Sequence, residues 1–402
     1  MRVARNTLPA LALAGLLGVI VGHPAGAETI KQPPDNIKTE KLAKLDNPWA
    51  LAFLPDGRLL ITEKPGNLRI YADGELSSPI AGVPEVVYRE QGGLLDVAVD
   101  PDFADNKLVY LSYTEAAAKQ PSDATEKKDP RLGEFQDLKD TVLKGLAVAR
   151  GRLEGDRLQD VTVIWRQEPK TIGRNHFGGR LVFAPDGKLF ITSGDRQRFE
   201  PAQDLASSIG KVVRINPDGS APDDNPFVDK EGALPEIWTL GHRNQLGAAI
   251  NPASGELWIH EMGPKGGDEV NIIVRGKNYG WPQVSEGMHY DDKDIPDHAT
   301  KPEFATPAYS WNPSISPSGL IFYTGDEFPD WKGKALLGGL SSEALIVLTL
   351  DGDKVVSDDI IKMNRRIRDV AQTPDGGVLL LVDGDSGGDL LRVTPSGGSA
   401  QR

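Results

Sequence analysis

One pattern recurs along the chain: an apolar strand, a Pro-Asp-Gly type of turn, and a second apolar strand. The clearest copy is Leu181-Val-Phe-Ala-Pro-Asp-Gly-Lys-Leu-Phe-Ile-Thr192. Asp and Gly suit the turn because they tolerate positive φ, so the turn aspartates are predicted to be structural. Six such units predict an all-β fold, a six-bladed β-propeller in which each unit belongs to a four-stranded blade. The other copies span residues 49–62, 94–112, 246–259, 318–338 and 367–381.

The segments between the units are expected to be insertions rather than domain boundaries. Residues 115–144 are rich in Ala, Lys, Asp and Glu, and we interpret them as a charged insertion with some helix. Sustained 3.6-residue periodicity is not found elsewhere, which argues against a helical fold. With no linker in view, residues 28–402 are predicted to form a single propeller domain.

The N-terminus has the features of a secretory signal peptide. Arg2 and Arg5 precede an apolar run over residues 8–21, and Ala25-Gly-Ala27 supplies a small-residue cleavage site. We therefore expect residues 1–27 to be removed and the mature protein to be secreted, or periplasmic in a Gram-negative cell. No later segment is apolar enough over a sufficient length to span a membrane.

The net charge and the absence of cysteine limit which partners the protein can bind and which chemistry it can perform. The net charge of −13 becomes −15 once the two arginines of the signal peptide are lost, and such an acidic protein should repel nucleic acid. The chain has no cysteine, which excludes disulfides, thiolate catalysis and zinc–thiolate sites. Neutral substrates and divalent cations remain compatible with this composition.

Counting outwards from the turn of the third unit gives a candidate catalytic pair. His176 lies ten residues before Asp186, and Asp195 lies nine after it. Antiparallel pairing brings these positions to the same open end of the hairpin. An imidazole held by a carboxylate can act as a general base. The alternative is a loop histidine with an ordinary hydrogen bond.

The same counting places further polar residues at that end of the propeller. Cations gathered there, in so acidic a chain, indicate an anionic ligand, although arginines can also simply cap loops. The selected residues are Gln91, Arg243, Asn244, Arg366 and Arg368.

A carboxylate-rich segment, residues 261–269, together with residues 278–281, has the oxygen donors that suit a hard cation such as calcium. Its spacing is not that of an EF-hand. A purely structural role for these residues is equally compatible with the sequence.

Eight short motifs, taken in order, resemble the soluble pyrroloquinoline quinone (PQQ)-dependent sugar dehydrogenases, the aldose or glucose dehydrogenase family. The resemblance runs from about residue 47 to residue 393. The motifs are Gln91-Gly-Gly-Leu-Leu, His176-Phe-Gly-Gly-Arg180, Ser193-Gly-Asp195, Gly241-His-Arg-Asn244, Glu261-Met-Gly-Pro264, Gly267-Asp-Glu269, Asn278-Tyr-Gly-Trp-Pro282 and Arg366-Ile-Arg-Asp-Val370.

The resemblance implies a six-bladed propeller that binds PQQ over its central channel and oxidises an aldose at the anomeric carbon to the lactone. Electrons would then pass to an external acceptor, a quinone or a redox protein. By the same resemblance, His176 is the base that deprotonates the sugar, and Asp195 orients it. Arg243 contacts PQQ and stabilises negative charge on the quinone oxygen.

The resemblance also assigns the binding residues. Gln91, Arg243 and Asn244 would contact PQQ or line its site. Arg366 and Arg368 would bind its carboxylates, a role that suits guanidinium groups. Calcium ligands would be the carbonyls of Gly263 and Pro264 at the cofactor, and Glu269 with the Tyr279 carbonyl at a further position.

One departure from the family concerns the charge over the cofactor. Glucose dehydrogenases of the family carry a lysine in the strand that matches residues 336–344, where this chain has Ser341 and Ser342. Two other functions stay open: a calcium-dependent propeller lactonase or other hydrolase, and a non-catalytic propeller that binds a ligand. The protein is expected to be a monomer or a homodimer.

Overall fold

A computed structural model of the protein describes residues 30–31, 37–122, 129–135, 140–384 and 387–396. Its main strands form six antiparallel sheets, and the first strand of each repeated unit packs against those of the two neighbouring sheets. These six innermost strands close a ring around a central axis. The prediction of an all-β, six-bladed propeller is therefore confirmed.

The blades are numbered in the order of their innermost strands. Blade 1 contains Pro48–Phe53, Leu59–Glu63, Asn67–Ala72 and Glu75–Leu76; blade 2 contains Leu94–Val99, Leu108–Ala116, Lys144–Glu154 and Arg157–Arg166; blade 3 contains Gly178–Phe183, Leu189–Ser193, Lys211–Ile215 and Ile237–Leu240. Blade 4 contains Gln245–Ile250, Leu257–Glu261, Asp268–Ile272 and Tyr309–Trp311; blade 5 contains Pro317–Phe322, Ala335–Gly339, Ala344–Asp351 and Lys354–Lys362; blade 6 contains Arg366–Gln372, Val378–Asp383, Gly388–Pro395 and Ile37–Leu45.

Short strands and helical turns lie between or beside the blade strands. Lys265–Gly266 pairs with Gly287–Met288, and Ile30–Lys31 adds to blade 5 as a parallel strand. The helical segments in the described residues are one α-helical turn, Phe103–Asn106, and the 3-10 turns Pro130–Phe135, Glu200–Gln203, His298–Thr300 and Pro329–Trp331.

Blade 6 closes the ring with strands from both ends of the chain. Its outermost strand, Ile37–Leu45, pairs antiparallel with Gly388–Pro395. This N-terminal strand belongs to none of the six repeated units in the sequence. Because it hydrogen-bonds to the last strand of the chain, it fastens the first blade to the sixth.

The hairpin of blade 3 shows how the repeated unit positions the site. At its turn, Gly187 has φ +78°, and the Asp186 carboxylate accepts the backbone N–H of Lys188 at 3.0 Å. The strands pair in register near the turn, and a β-bulge then adds one residue to the first strand before Gly178 pairs with Ser193. The chain before Gly178 and after Ser193 therefore meets at the open end.

A buried arginine ties several blades together near the axis. Arg180 of blade 3 is 5% exposed and lies 2.9 Å from Asp369 of blade 6 and 3.5 Å from Asp96 of blade 2. Its guanidinium also lies 4.2 Å from the ring centre of Trp49. Burial raises the pKa of Asp96 to about 6, and Arg180 opposes that rise. The arginine thus compensates two carboxylates that contribute to the packing of the inner strands.

Two of the sequence-based expectations fall partly or wholly beyond the described residues. The predicted signal peptide, residues 1–27, lies outside them. Of the insertion at 115–144, the described part contains the 3-10 turn Pro130–Phe135 and the ends of two blade 2 strands. No helix in the described part of the chain has the length and apolarity needed to cross a bilayer.

Candidate active site

His176 and Asp195 are in contact at the open end of blade 3. His176 Nδ1 lies 2.7 Å from Asp195 Oδ1, and the two residues are 5% and 0% exposed. The backbone N–H of His176 donates to Gln91 Oε1 at 2.9 Å, which links blade 2 to the pair. His176 has φ +53°, an uncommon conformation for a residue with a Cβ atom. The predicted contact is present, with Gln91 beside it.

The Asp195 carboxylate accepts three N–H groups. Besides His176, the backbone of Gln197 donates to Oδ1 at 2.8 Å, and Trp281 Nε1 donates to Oδ2 at 2.7 Å. Burial alone would raise the pKa of Asp195, but His176 and the charge of Arg243 hold it below its ordinary value. An ionised Asp195 requires the proton of the neutral imidazole to lie on Nδ1, which leaves Nε2 as the basic nitrogen.

The pKa of His176 is lowered, first by burial and then by the nearby charge of Arg243. Asp195 acts in the opposite direction but does not offset both effects. The imidazole is therefore neutral at pH 7 and available as a base.

Arg243 and Asn244 lie between the His–Asp pair and blade 4. Arg243 Nη1 donates to the carbonyls of Met262 and Gly263, both at 2.8 Å, and Nη2 donates to Tyr290 Oη at 3.2 Å. Arg243 Nε and Asn244 Nδ2 are buried and have no hydrogen-bond partner among the described residues. Two such donors fit a ligand that carries acceptor oxygens or nitrogens, as a quinone cofactor does.

A cleft of about 700 Å3 opens beside this group. Gln91, Arg366 and Arg368 line it, as predicted. Arg366 Nε and Arg368 Nε donate to opposite oxygens of Asp383, at 3.0 and 2.8 Å. Burial alone would raise the pKa of Asp383, but the two guanidinium groups hold it below its ordinary value. The residues predicted for catalysis and for cofactor binding therefore lie in the cleft or in the buried group next to it.

Glu269 and Tyr279 both lie close to His298, a residue that was not predicted to belong to the site. His298 Nδ1 lies 3.8 Å from Glu269 Oε1, and His298 Nε2 lies 3.2 Å from the Tyr279 carbonyl oxygen. Burial raises the pKa of Glu269 to about 8. Burial alone would lower the pKa of His298, but Glu286 and Glu269 raise it. The buried carboxylate is thus poorly compensated by protein groups.

The geometry fits calcium better at the Glu269 and Tyr279 position than at the Gly263 carbonyl. A small cavity of about 10 Å3, the space of one water molecule or ion, is lined by Glu261, Gly263, Glu269 and Tyr279. This carboxylate and carbonyl chemistry suits calcium. The Gly263 carbonyl, however, already accepts Arg243 Nη1, so a cation there would share that oxygen with a guanidinium. Within the described ranges, no cluster of three or more His, Asp or Glu side chains is arranged to hold a metal.

Residues from three loops, one each in blades 2, 3 and 4, cover His176, and their roles were not predicted. Trp281, Phe199, Leu132, Arg131 and Tyr290 line a closed space beside the imidazole and leave no cavity the size of a water molecule. The Arg131 guanidinium lies 3.8 Å from the ring centre of Phe199, which stacks on Trp281 at 5.5 Å. Arg131 and Leu132 come from the charged insertion of blade 2. Its composition gave no sign that it reaches the site.

The fold is a six-bladed propeller, and the site combines a buried His–Asp pair with a cleft that contains arginines. The sequence profile of the Glucose / Sorbosone dehydrogenase family matches residues 45–392. The chain belongs to this family and is an oxidoreductase. The family resemblance inferred from the eight motifs is confirmed, which favours a dehydrogenase over the hydrolase and the non-catalytic propeller.

Named relatives agree with this assignment. The chain is 43% identical over 371 residues to the aldose sugar dehydrogenase YliI of Escherichia coli, an alignment that covers 90% of this chain and 94% of that one. The structure of the soluble aldose sugar dehydrogenase of E. coli in its apo form matches with a TM-score of 0.80 at 41% identity, covering 89% of this chain and 99% of the other. The PQQ-bound form of an aldose sugar dehydrogenase from Streptomyces coelicolor matches with a TM-score of 0.69 at 25% identity, covering 90% and 100%.

Proposed function

We propose that the protein oxidises aldoses at the anomeric carbon to the lactone, with PQQ as cofactor and an external electron acceptor. The observation that carries the proposal is the buried His176–Asp195 pair, 2.7 Å apart, beside a cleft that contains arginines. The PQQ-bound relative with the same fold supports the choice of cofactor.

His176 Nε2 takes the proton of the anomeric hydroxyl in this proposal, while the hydrogen on the anomeric carbon leaves as hydride. Asp195 stabilises the imidazolium that forms, because its ionised carboxylate is already bonded to Nδ1. PQQ, when bound, supplies the quinone that takes the hydride, and the external acceptor later removes two electrons. Arg243 is the residue we assign to stabilise negative charge on the quinone oxygen.

The remaining polar residues of the site hold the cofactor in place. Arg366 and Arg368 provide guanidinium groups for its carboxylates, and Asn244 Nδ2 and Gln91 provide amide groups. Calcium is assigned to the Glu269 and Tyr279 position and, with weaker support, to the carbonyls of Gly263 and Pro264. These assignments are tested by the effect of each variant on PQQ and calcium binding.

The test uses the purified apoprotein incubated with PQQ and Ca2+, an artificial electron acceptor and a panel of aldoses. We expect dye reduction with at least one sugar. His176→Gln should abolish turnover and leave PQQ binding largely intact. His260→Gln is the matched control, because His260 is also buried but bonds to the Gly319 carbonyl outside the site. Absence of both PQQ binding and dye reduction would refute the proposal.

Export remains part of this proposal. If residues 1–27 are a signal peptide, the protein isolated from cell envelopes should begin at Glu28, and N-terminal sequencing measures this directly. A protein that starts at Met1 and stays with the cytoplasmic fraction would contradict the assignment. Sedimentation of the same sample distinguishes a monomer from a homodimer.

A further inference from the structure

Lys64 is a cation of the cleft that none of the sequence motifs includes. It follows the second strand of blade 1, Leu59–Glu63, just as Asp195 lies beyond the second strand of blade 3. Its side chain is half-buried and lines the same cleft as Arg366 and Arg368. Blades 1 and 6 thus bring three cations to one cavity.

Few carboxylates of the protein compensate the charge of these three cations. Asp383 serves both Arg366 and Arg368. Lys64 Nζ donates to the backbone carbonyl of Glu90 at 3.1 Å and lies 5.7 Å from the ring centre of Tyr88. Among the described residues, no carboxylate forms an ion pair with Lys64.

The acidic side chain of Glu90, whose backbone carbonyl accepts from Lys64, is already engaged. The Glu90 carboxylate, which also lines the cleft, pairs with Arg174 at 3.3 Å. Burial lowers the pKa of Lys64, and the charge of Arg368 lowers it further, although Asp383 and Glu90 oppose the change. A half-buried ammonium next to guanidinium groups is unfavourable on its own, and an anionic ligand in the cleft would relieve it.

We propose that Lys64 binds a carboxylate of the cofactor, as the third cation of the cleft beside Arg366 and Arg368. The inference rests on the proposed function and adds a residue from blade 1 to it. The proposal also gives the cleft a third cation although blade 5 supplies none. In blade 5, Ser341 and Ser342 stand where glucose dehydrogenases of the family carry a lysine, and Ser341 Oγ bonds to Ser316 Oγ at 2.8 Å.

The experiment titrates PQQ into the calcium-loaded apoprotein and follows the dissociation constant by tryptophan fluorescence, since Trp49 also lines the cleft. Lys64→Met should weaken PQQ binding about 10- to 100-fold, the range expected for a charge-assisted contact. Lys64→Arg should bind PQQ within about threefold of wild type, because it keeps a cation. PQQ binding by Lys64→Met should also depend less on salt concentration, because one charged contact is missing.

Lys107→Met is the matched control. Lys107 Nζ likewise donates to a backbone carbonyl, that of Ala104, and lies 5.4 Å from an aromatic ring centre, but it sits at the turn end of blade 2. The PQQ affinity of Lys107→Met should equal that of wild type. Thermal unfolding of the apoproteins checks that Lys64→Met folds normally.

The possible failures separate the two proposals. If wild type does not bind PQQ, the proposed function fails. If wild type binds PQQ and Lys64→Met binds it equally well, only the role of Lys64 is overturned. A higher KM for sugar in Lys64→Met, with an unchanged PQQ dissociation constant, would also overturn it, because Lys64 would then contact the substrate.

Discussion

Replacing Trp281 with phenylalanine tests whether the base is positioned through its carboxylate. Trp281 is 5% exposed, and its Nε1 donates to Asp195 Oδ2 at 2.7 Å. Phenylalanine keeps an aromatic ring against Phe199 and removes the N–H donor together with part of the indole ring, a loss of volume that the control variant below shares. Asp195 is fully buried, so solvent does not readily replace the lost donor.

The magnitude follows from the kind of bond that is lost. A hydrogen bond to a charged group contributes about 1.5–3 kcal/mol. The bond is present before as well as during the reaction, so its loss slows the reaction by letting Asp195 and His176 turn out of position. If this misorientation costs as much as the bond itself, kcat/KM falls by about 10- to 150-fold, at about 1.4 kcal/mol per tenfold change in rate. With one donor fewer, the Asp195 carboxylate attracts the His176 imidazolium more strongly, so the pKa of His176 rises. The acidic limb of the pH–kcat/KM profile should therefore move to higher pH.

The assay measures dye reduction across pH for wild type, Trp281→Phe and Trp311→Phe. Trp311 is the control because it is 3% exposed and its Nε1 donates to another carboxylate, Asp358 Oδ2, at 2.9 Å, in the outer part of blade 4. Both variants should lose stability, but only Trp281→Phe should change kcat/KM and the pH profile. PQQ affinity should stay within about threefold in both. An unchanged profile in Trp281→Phe, or equal losses in the two variants, would refute positioning through Trp281.

Three further predictions concern the core, the base and the metal. Arg180→Met leaves the Asp96 and Asp369 carboxylates buried without their cation and should cost about 3–5 kcal/mol in urea unfolding; a loss below about 1 kcal/mol would contradict this role. Because the pKa of His176 is lowered, wild-type kcat/KM should stay high below pH 6.5 and fall only at more acidic pH, which a profile with its midpoint above 6.5 would disprove. Chelation of calcium should lower the Tm, and Glu269→Gln should lose most of the stabilisation that calcium gives, about 2.7 kcal/mol at 100 times its Kd. Equal calcium-dependent Tm shifts in Glu269→Gln and wild type would exclude Glu269 as a ligand.

The contact between His176 and Asp195 could be predicted because a hairpin is a local structure. The turn at Asp186 fixes the register, and residues at similar distances on either side must meet. The count was ten residues on one side and nine on the other, and the β-bulge between Gly178 and Leu181 absorbs the extra residue. Around Asp56 in blade 1 the count of nine ends at Pro65, and Lys64 precedes it by one residue, so the count leads to the neighbourhood of this cation without selecting it.

Contacts between distant segments could not be predicted in this way. Trp281 reaches Asp195 across 86 residues of chain, and the N-terminal strand Ile37–Leu45 finds its partner at the opposite end of the sequence. Neither segment carries a local pattern that names its partner. Their positions depend on the closure of the ring, which brings them together only in the complete fold.

The difference between local register and contacts of distant loops also divides the residues of the site into two groups. The base and the cleft cations lie at the ends of blade strands, where sheet register sets their positions within narrow limits. The cover over His176 comes instead from loops, with Arg131 paired to Glu200 at 2.7 Å and Tyr290 bonded to Arg243 at 3.2 Å. These loop residues pack against the imidazole and leave no cavity the size of a water molecule between them. Substitutions of Arg131, Phe199 or Tyr290 in this cover should therefore change which aldoses react. Substitutions at the strand ends, and of Trp281, which bonds to Asp195, should change the rate for all of them.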